Sequence, residues 1–176
     1  VKTVIVGNSV TSIGERAFYG CPLDVVTIPD SVTSFGKDAF NCPFLGSISV
    51  GEGNTTFSSI GGVLFSKDAG NLIQYPAGAS ESYSIPDSVT SIGDYAFYEG
   101  AAVSVTIPDS VTSIGDRAFY GCYSLASMTI PDSVSSVGEY AFSRCTGIKN
   151  LYVSSNPLLR LERSVFEGFT FYDKDG

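Results

Sequence analysis

The feature that most constrains this chain is a phrase it repeats. IPDSVTSIGDRAFYGC at residues 107–122 returns with small changes at 28–42, 85–98 and 130–145, and in outline at 6–21. Its glycines fall at Gly14, Gly36, Gly93, Gly115 and Gly138, in steps of 22, 57, 22 and 23 residues. An Ala-Phe pair keeps the same step at 17–18, 39–40, 96–97, 118–119 and 141–142. The long step holds one 22-residue repeat and an irregular unit of 35 residues, with the insertion at about 54–84. There SKDAGN reads as a turn joining GVLF to LIQY in a hairpin. A short unit of fixed period cannot bury its own apolar residues, so neighbouring units must stack.

Within the unit, LASMTI places Leu125, Met128 and Ile130 at the first, fourth and sixth positions of L-x-x-L-x-L. LGSISV and IKNLYV repeat the pattern, and alternation along a strand sends these side chains inward. Proline at 29, 86, 108 and 131 ends each strand because it cannot continue the ladder. Phe18, Phe40, Phe97, Phe119, Phe142 and Phe166 form the predicted core ladder. In the tail, Leu158, Leu161, Val165 and Phe166 take the places of Val134, Val137, Ala141 and Phe142, with Phe169 in that of Cys145. The period lies in the leucine-rich-repeat range. It predicts a curved solenoid of about seven coils of 22–23 residues, with a parallel β-sheet on the concave face, one irregular repeat and little regular helix. Residues 1–169 read as the repeat domain, with a divergent terminal repeat at about 153–169, and 170–176 as the start of a following segment.

The wording IPDSVTSIGxxAFxxC, with the interrupting GGVLFSKDAGNLIQYPAG, resembles the BspA-like leucine-rich-repeat family of bacterial and protist surface proteins. The likeness runs from Val4 to about Phe169. Two departures stand out: DS replaces the asparagine of the general leucine-rich consensus, and Gly100 stands where a Cys is expected. The resemblance implies a secreted or surface-anchored, non-enzymatic adhesin segment that binds host matrix or cell-surface proteins. A glycan is a further partner class, and a structural spacer displaying other domains is the alternative.

Composition narrows the remaining choices. A net charge of −8 and a pI near 4.3 argue against nucleic acid, and the ten Lys and Arg are scattered along the sequence. No apolar run approaches a membrane span of about 20 residues, so no direct membrane insertion is expected. Val1 opens inside a repeat, which reads as a piece of a longer protein. Histidine is absent, which removes Ser–His and Cys–His dyads and the commonest metal ligand. No enzyme activity, cofactor or metal is expected.

Candidate binding residues fall into two groups. Tyr19, Tyr98 and Tyr120 follow the core phenylalanines and predict a second ladder, flanked by Tyr95, Tyr123 and Tyr140; amphipathic rings suit interfaces. Thr27, Thr106, Thr129 and Tyr152 belong to the outward face of the strands, which is otherwise small and polar. Asp30, Asp87, Asp109 and Asp132 follow the strand prolines and form an acidic ladder. Their equal environments argue against paired acid catalysis, and no loop gathers the ligands Ca²⁺ needs. A turn aspartate bonding nearby amides is the reading for them. Cys21, Cys42, Cys122 and Cys145 occupy one repeat position, and parallel side chains on stacked coils predict free buried thiols rather than disulfides. NTT at 54–56 fits the glycosylation sequon and DKDG at 173–176 half a calcium loop; neither is assigned a role.

Overall fold

Each repeat folds into one coil built from three short extended runs, and each run pairs with its counterpart in the next coil. The computed structural model describes residues 2–153, 156, 159, 161 and 163–168. Leu158, Phe169 and the 170–176 segment, named above, lie outside the described residues. The first run is a longer strand: β1 (Thr3–Ile5), β3 (Val25–Ile28), β5 (Ser47–Val50), β9 (Ser82–Ser84), β11 (Ser104–Thr106), β13 (Ser127–Ile130) and β15 (Asn150–Val153). The second is a two-residue strand in the SI of the phrase: β2 (Ser12–Ile13), β4 (Ser34–Phe35), β10 (Ser91–Ile92), β12 (Ser113–Ile114) and β14 (Ser136–Val137). The third is the segment around the Ala-Phe pair. These strands pair in parallel, and one 3₁₀ turn at Arg163–Phe166 is the sole helical element among the described residues.

The literal repetition has a physical cause: polar side chains of the phrase bond to the equivalent place one coil earlier. Ser31 Oγ donates to the Val10 carbonyl at 2.7 Å and Ser110 Oγ to that of Val89 at 2.7 Å. Thr112 Oγ1 reaches the Thr90 carbonyl at 3.2 Å, and Ser135 Oγ the Thr112 carbonyl at 3.3 Å. The repeat glycine serves the same close approach. A Cβ on Gly36 would press into the Glu15 backbone, and one on Gly115 would lie 2.6 Å from the Asp94 amide nitrogen. A Cβ on Gly14 meets nothing within 4 Å.

The Pro-Asp-Ser-Val corner corrects the reading of the aspartates. The corner closes through backbone, valine amide to proline carbonyl, at 3.0 Å for Val89 and 3.1 Å for Val111. At Ser31 and Ser110 the serine makes the side-chain bond, to a carbonyl of the preceding coil. Asp30, Asp87 and Asp109 are exposed and bond no amide among the described residues. At the third coil Asn54, 1% exposed, takes over the corner. Its Nδ2 donates to the carbonyls of Pro29 and Val32 at 2.9 and 2.8 Å, and its Oδ1 accepts from the Thr56 and Phe57 amides. The sequon asparagine is therefore sealed inside the stack.

The long-strand sheet is two sheets rather than one. β1-β3-β5 forms one and β9-β11-β13-β15 the other. Between them the irregular unit folds as an antiparallel meander of β6 (Phe57–Ile60), β7 (Val63–Ser66) and β8 (Asn71–Gln74). The SKDAGN turn joins β7 to β8 as its sequence predicts. Gly61 and Gly62, at φ 57° and 83°, supply the tight turn before β7, since such paired positive φ values favour glycine. β7 is buried on both faces. Val63 and Phe65 belong to the core of the later coils, while Leu64 belongs to the core of the first three. The meander is thus a septum between two hydrophobic cores.

Beyond the septum, Phe97, Phe119, Phe142 and Phe166 stack with centroids 4.7, 5.2 and 6.2 Å apart, and Phe18 and Phe40 stack at 6.0 Å before it. The irregular coil contributes Tyr75 to this ladder. It is 1% exposed, its ring lies 4.9 Å from Phe97, and its amide donates to the Ala96 carbonyl as Phe97 does to Ala118. The buried hydroxyl donates to the Ser80 carbonyl at 2.6 Å.

The cysteines also bond backward along the stack. Cys42, Cys122 and Cys145 thiols donate to the carbonyls of Phe18, Phe97 and Phe119, at 2.9, 3.0 and 2.9 Å. Cys42 stands two residues after its phenylalanine where the other three stand three after, so the four do not share one position.

Candidate binding face

The third run of the coils builds a surface carrying tyrosine, arginine and lysine. Amides at alternate residues donate to the next coil: Tyr95 to Asp116, Phe97 to Ala118 and Glu99 to Tyr120, at 2.9, 2.6 and 2.8 Å. The phenylalanine points into the core. The residues two before and one after it line the outside. Each run opens on a non-glycine residue with positive φ, at Arg16, Asp38, Tyr95, Arg117 and Tyr140 (52–59°). Such a conformation costs about 1–2 kcal/mol, and at Arg16, Tyr95 and Arg117 an amide bond to the following coil holds it.

Tyr98 and Tyr120 stack with centroids 5.2 Å apart and planes within 5°, and Tyr95 packs on Tyr98 at 5.4 Å. The Arg117 guanidinium sits between two rings, 5.8 Å from Tyr95 and 4.8 Å from Tyr140, and its Nη1 donates to the Tyr95 hydroxyl at 3.0 Å. Lys37 Nζ lies 4.6 Å from the Tyr95 ring, Arg144 lies over Tyr120 and Arg16 over Tyr19. Cation–π contacts of this kind contribute about 0.5–1 kcal/mol each at exposed sites. Burial pushes the Tyr98 hydroxyl up to about 12, with Glu99, Tyr19, Tyr120 and Asp38 adding to the effect. Tyr95 at its side holds the Lys37 ammonium above its ordinary value.

The predicted tyrosine ladder is therefore interrupted. Asn41 and Pro76 occupy its second and third places, leaving Tyr19, 48% exposed, apart from the Tyr98–Tyr120 stack. Sequence reading missed the cations. Scattered along the chain, Lys37, Arg117 and Arg144 gather over tyrosine rings of other coils because stacking makes distant residues neighbours, while Arg16 lies over Tyr19 of its own coil. The strand-face candidates divide between sheets. Thr27 lies on β3 opposite Ser49, whereas Thr106 faces Ser84, and Thr129 faces Tyr152 in the other sheet. Tyr152 is 60% exposed, an isolated ring among small polar residues.

Comparison with known proteins agrees with the stacked-coil fold. The chain matches the family described as BspA type leucine rich repeat region, in six copies, over residues 1–80 and 75–172. It belongs to that family. Among solved structures, this BspA-type chain is similar to a leucine-rich repeat protein from Eubacterium ventriosum, at 30% identity and TM-score 0.82, covering 86% of this chain and 42% of that one. It is also similar to a leucine rich cell surface protein from Faecalibacterium prausnitzii, at 27% identity and TM-score 0.60, covering 86% and 53%. The pneumococcal vaccine antigen PcpA shares the fold at 24% identity and TM-score 0.65, covering 89% and 52%. The chain spans about half the length of these structures. No curated protein matches it.

Among the described residues, no cluster of three or more His, Cys, Asp or Glu is arranged to hold a metal, and no helix is long and apolar enough to cross a membrane. What the BspA-type stack presents is a row of tyrosines interleaved with arginine and lysine. Such rings and cations offer stiff apolar area with polar tips.

Proposed function

We propose that this repeat module is an extracellular, cell-surface interaction segment that binds host matrix or cell-surface proteins through its tyrosine–cation face. The observation that carries this is the Tyr98–Tyr120 stack, with Arg144 over Tyr120 and Arg117 held between Tyr95 and Tyr140. Tyrosine and arginine are the residue types that dominate binding energy at protein interfaces, since they present large, stiff area with a polar end. The relative from Faecalibacterium prausnitzii, a leucine rich cell surface protein, supports the location. The test is a binding screen of the folded fragment against matrix proteins, plasma proteins and a glycan array at physiological salt. A saturable protein hit supports the reading; a hit confined to glycans changes the partner class.

A second reading, a structural spacer, is favoured by one observation. Many outward Ser and Thr side chains are used in bonds between coils, as at Thr90, Ser110 and Thr112. A blank screen with a folded fragment would favour it.

A further inference from the structure

The irregular coil leaves a gap beside the tyrosine face. In regular coils the second-run apolar residue and the core aromatic stand five apart, as in Ile92 and Phe97; in the irregular coil Leu72 and Tyr75 stand three apart. Two residues are missing at the corner, and nothing in that coil takes the place of Asp38 or Tyr95. The result is a cleft of about 320 Å³, with residues 35–40 as one wall, Asp94, Tyr95, Asp116 and Arg117 as the other, and Gln74 of the irregular coil also lining it. Lys37 spans its mouth to the Tyr95 ring.

The wall at 35–40 is an open ladder edge. The carbonyls of Ile13, Leu72, Ile92 and Ile114 each accept from the glycine amide of the following coil; the Phe35 carbonyl receives no such donor. The amides of Tyr95 and Phe97 donate to carbonyls of the following coil; those of Asp38 and Phe40 have no such acceptor. The Asp38 side chain, 5% exposed, bonds Arg16 Nε through Oδ2, while its buried Oδ1 has no partner. An acceptor, two donors and a buried carboxylate oxygen thus face one gap. Elsewhere in the stack, what answers this pattern is a polypeptide backbone.

We infer that this cleft receives an extended peptide segment of a partner, which completes the ladder as a following coil would. The inference deepens the protein-interaction reading and rests on it. A donor for Phe35 and two acceptors for Asp38 and Phe40, at strand spacing, are what main chain offers and a sugar ring does not. The partner's own amides supply donors for Asp38 Oδ1. The opposed charges at the rim, Lys37 and Arg117 against Asp94 and Asp116, favour a segment carrying both signs.

The probe is the capped hexapeptide Ile-Gly-Asp-Arg-Ala-Phe, the sequence of residues 114–119, which answers the equivalent groups of Ile92, Tyr95 and Phe97. It is titrated into the ¹⁵N-labelled chain and followed by amide chemical shifts. Saturable shifts centred on Asp38 and Phe40 are expected, about tenfold weaker when the peptide glycine is N-methylated and so cannot donate to Phe35. Lys37→Trp, at an exposed position, is expected to abolish them while leaving the rest of the spectrum in place. No shift at these amides at concentrations on the order of 10 mM would overturn the inference, as would shifts given by chitobiose and not by the peptide. Matrix-protein binding that persists undiminished in Lys37→Trp overturns the cleft and leaves the interaction reading standing. Peptide shifts without any matrix or surface-protein hit do the reverse.

Discussion

Tyr75 stacks on Phe97 with ring centroids 4.9 Å apart and planes 22° apart, so the irregular coil keeps the aromatic ladder on its later side despite its shortened corner. Its hydroxyl, pointing at the Ser80 carbonyl, pins the loop that leads into β9. Tyr75→Ala removes a fully buried ring and is expected to cost about 3–5 kcal/mol. Tyr75→Phe keeps the stack, leaves the Ser80 carbonyl unanswered and should cost about 1 kcal/mol. Urea denaturation measures both; equal costs would deny the stack its role.

Asn54 makes four hydrogen bonds from a fully buried position. Asn54→Ala strands the Val32 carbonyl and the Thr56 and Phe57 amides, the Pro29 carbonyl keeping the Val32 amide, and should destabilise by about 3 kcal/mol. The same burial predicts that NTT stays unmodified. Intact-mass measurement after expression in a glycosylating host should show no added sugar at Asn54.

The repeat glycines differ in what surrounds them. Gly115→Ala forces a methyl into the Asp94 backbone and is expected to cost about 2 kcal/mol. Gly14→Ala meets open space and should be neutral or stabilising by about 0.5 kcal/mol. Thermal melts of the two variants make the comparison directly.

Alkaline pH should destabilise the stack. Burial pushes Tyr83 and Tyr98 up to about 12 and Cys42 up to about 11. Their unfolded values lie near 10 for tyrosine and about 8.5 for cysteine. Groups raised on folding contribute stability that is full below the unfolded pKa and is lost as pH rises through the folded one. The loss should therefore begin near pH 8.5 and continue toward pH 12. Denaturation midpoints across that range, with tyrosinate absorbance read alongside, should show these tyrosines ionising late.

The period made most of the coil legible, because a residue type recurring every 22–23 positions states its own neighbours. The GVLF–LIQY hairpin was equally readable from its turn. The septum was not: FSSI at 57–60 looks like any loop of serines, and its pairing with β7 depends on two glycines in series. Tyr75 escaped notice because the shortened corner moved it off the period. QYP after an apolar residue was its one trace. Lys37 over Tyr95 was hidden most deeply, since the coil between them is the one that departs from the pattern. The aspartates misled because proline-aspartate reads locally as a turn in which the carboxylate accepts from an amide, whereas at Asp87 and Asp109 the proline carbonyl takes the valine amide and the carboxylate stays in solvent.

The central claim is that binding resides on the tyrosine–cation face rather than on the strand face. Surface plasmon resonance against the partner found by screening would compare Tyr98→Ala/Tyr120→Ala with Thr106→Arg/Thr129→Arg, each verified as folded by circular dichroism. Loss of the stacked rings is expected to weaken binding at least about 30-fold, as removal of an interfacial hot spot worth about 2 kcal/mol does, with the threonine pair close to wild type. Undiminished binding by the tyrosine variant, with loss in the threonine variant, would contradict the account and move the site to the strand face.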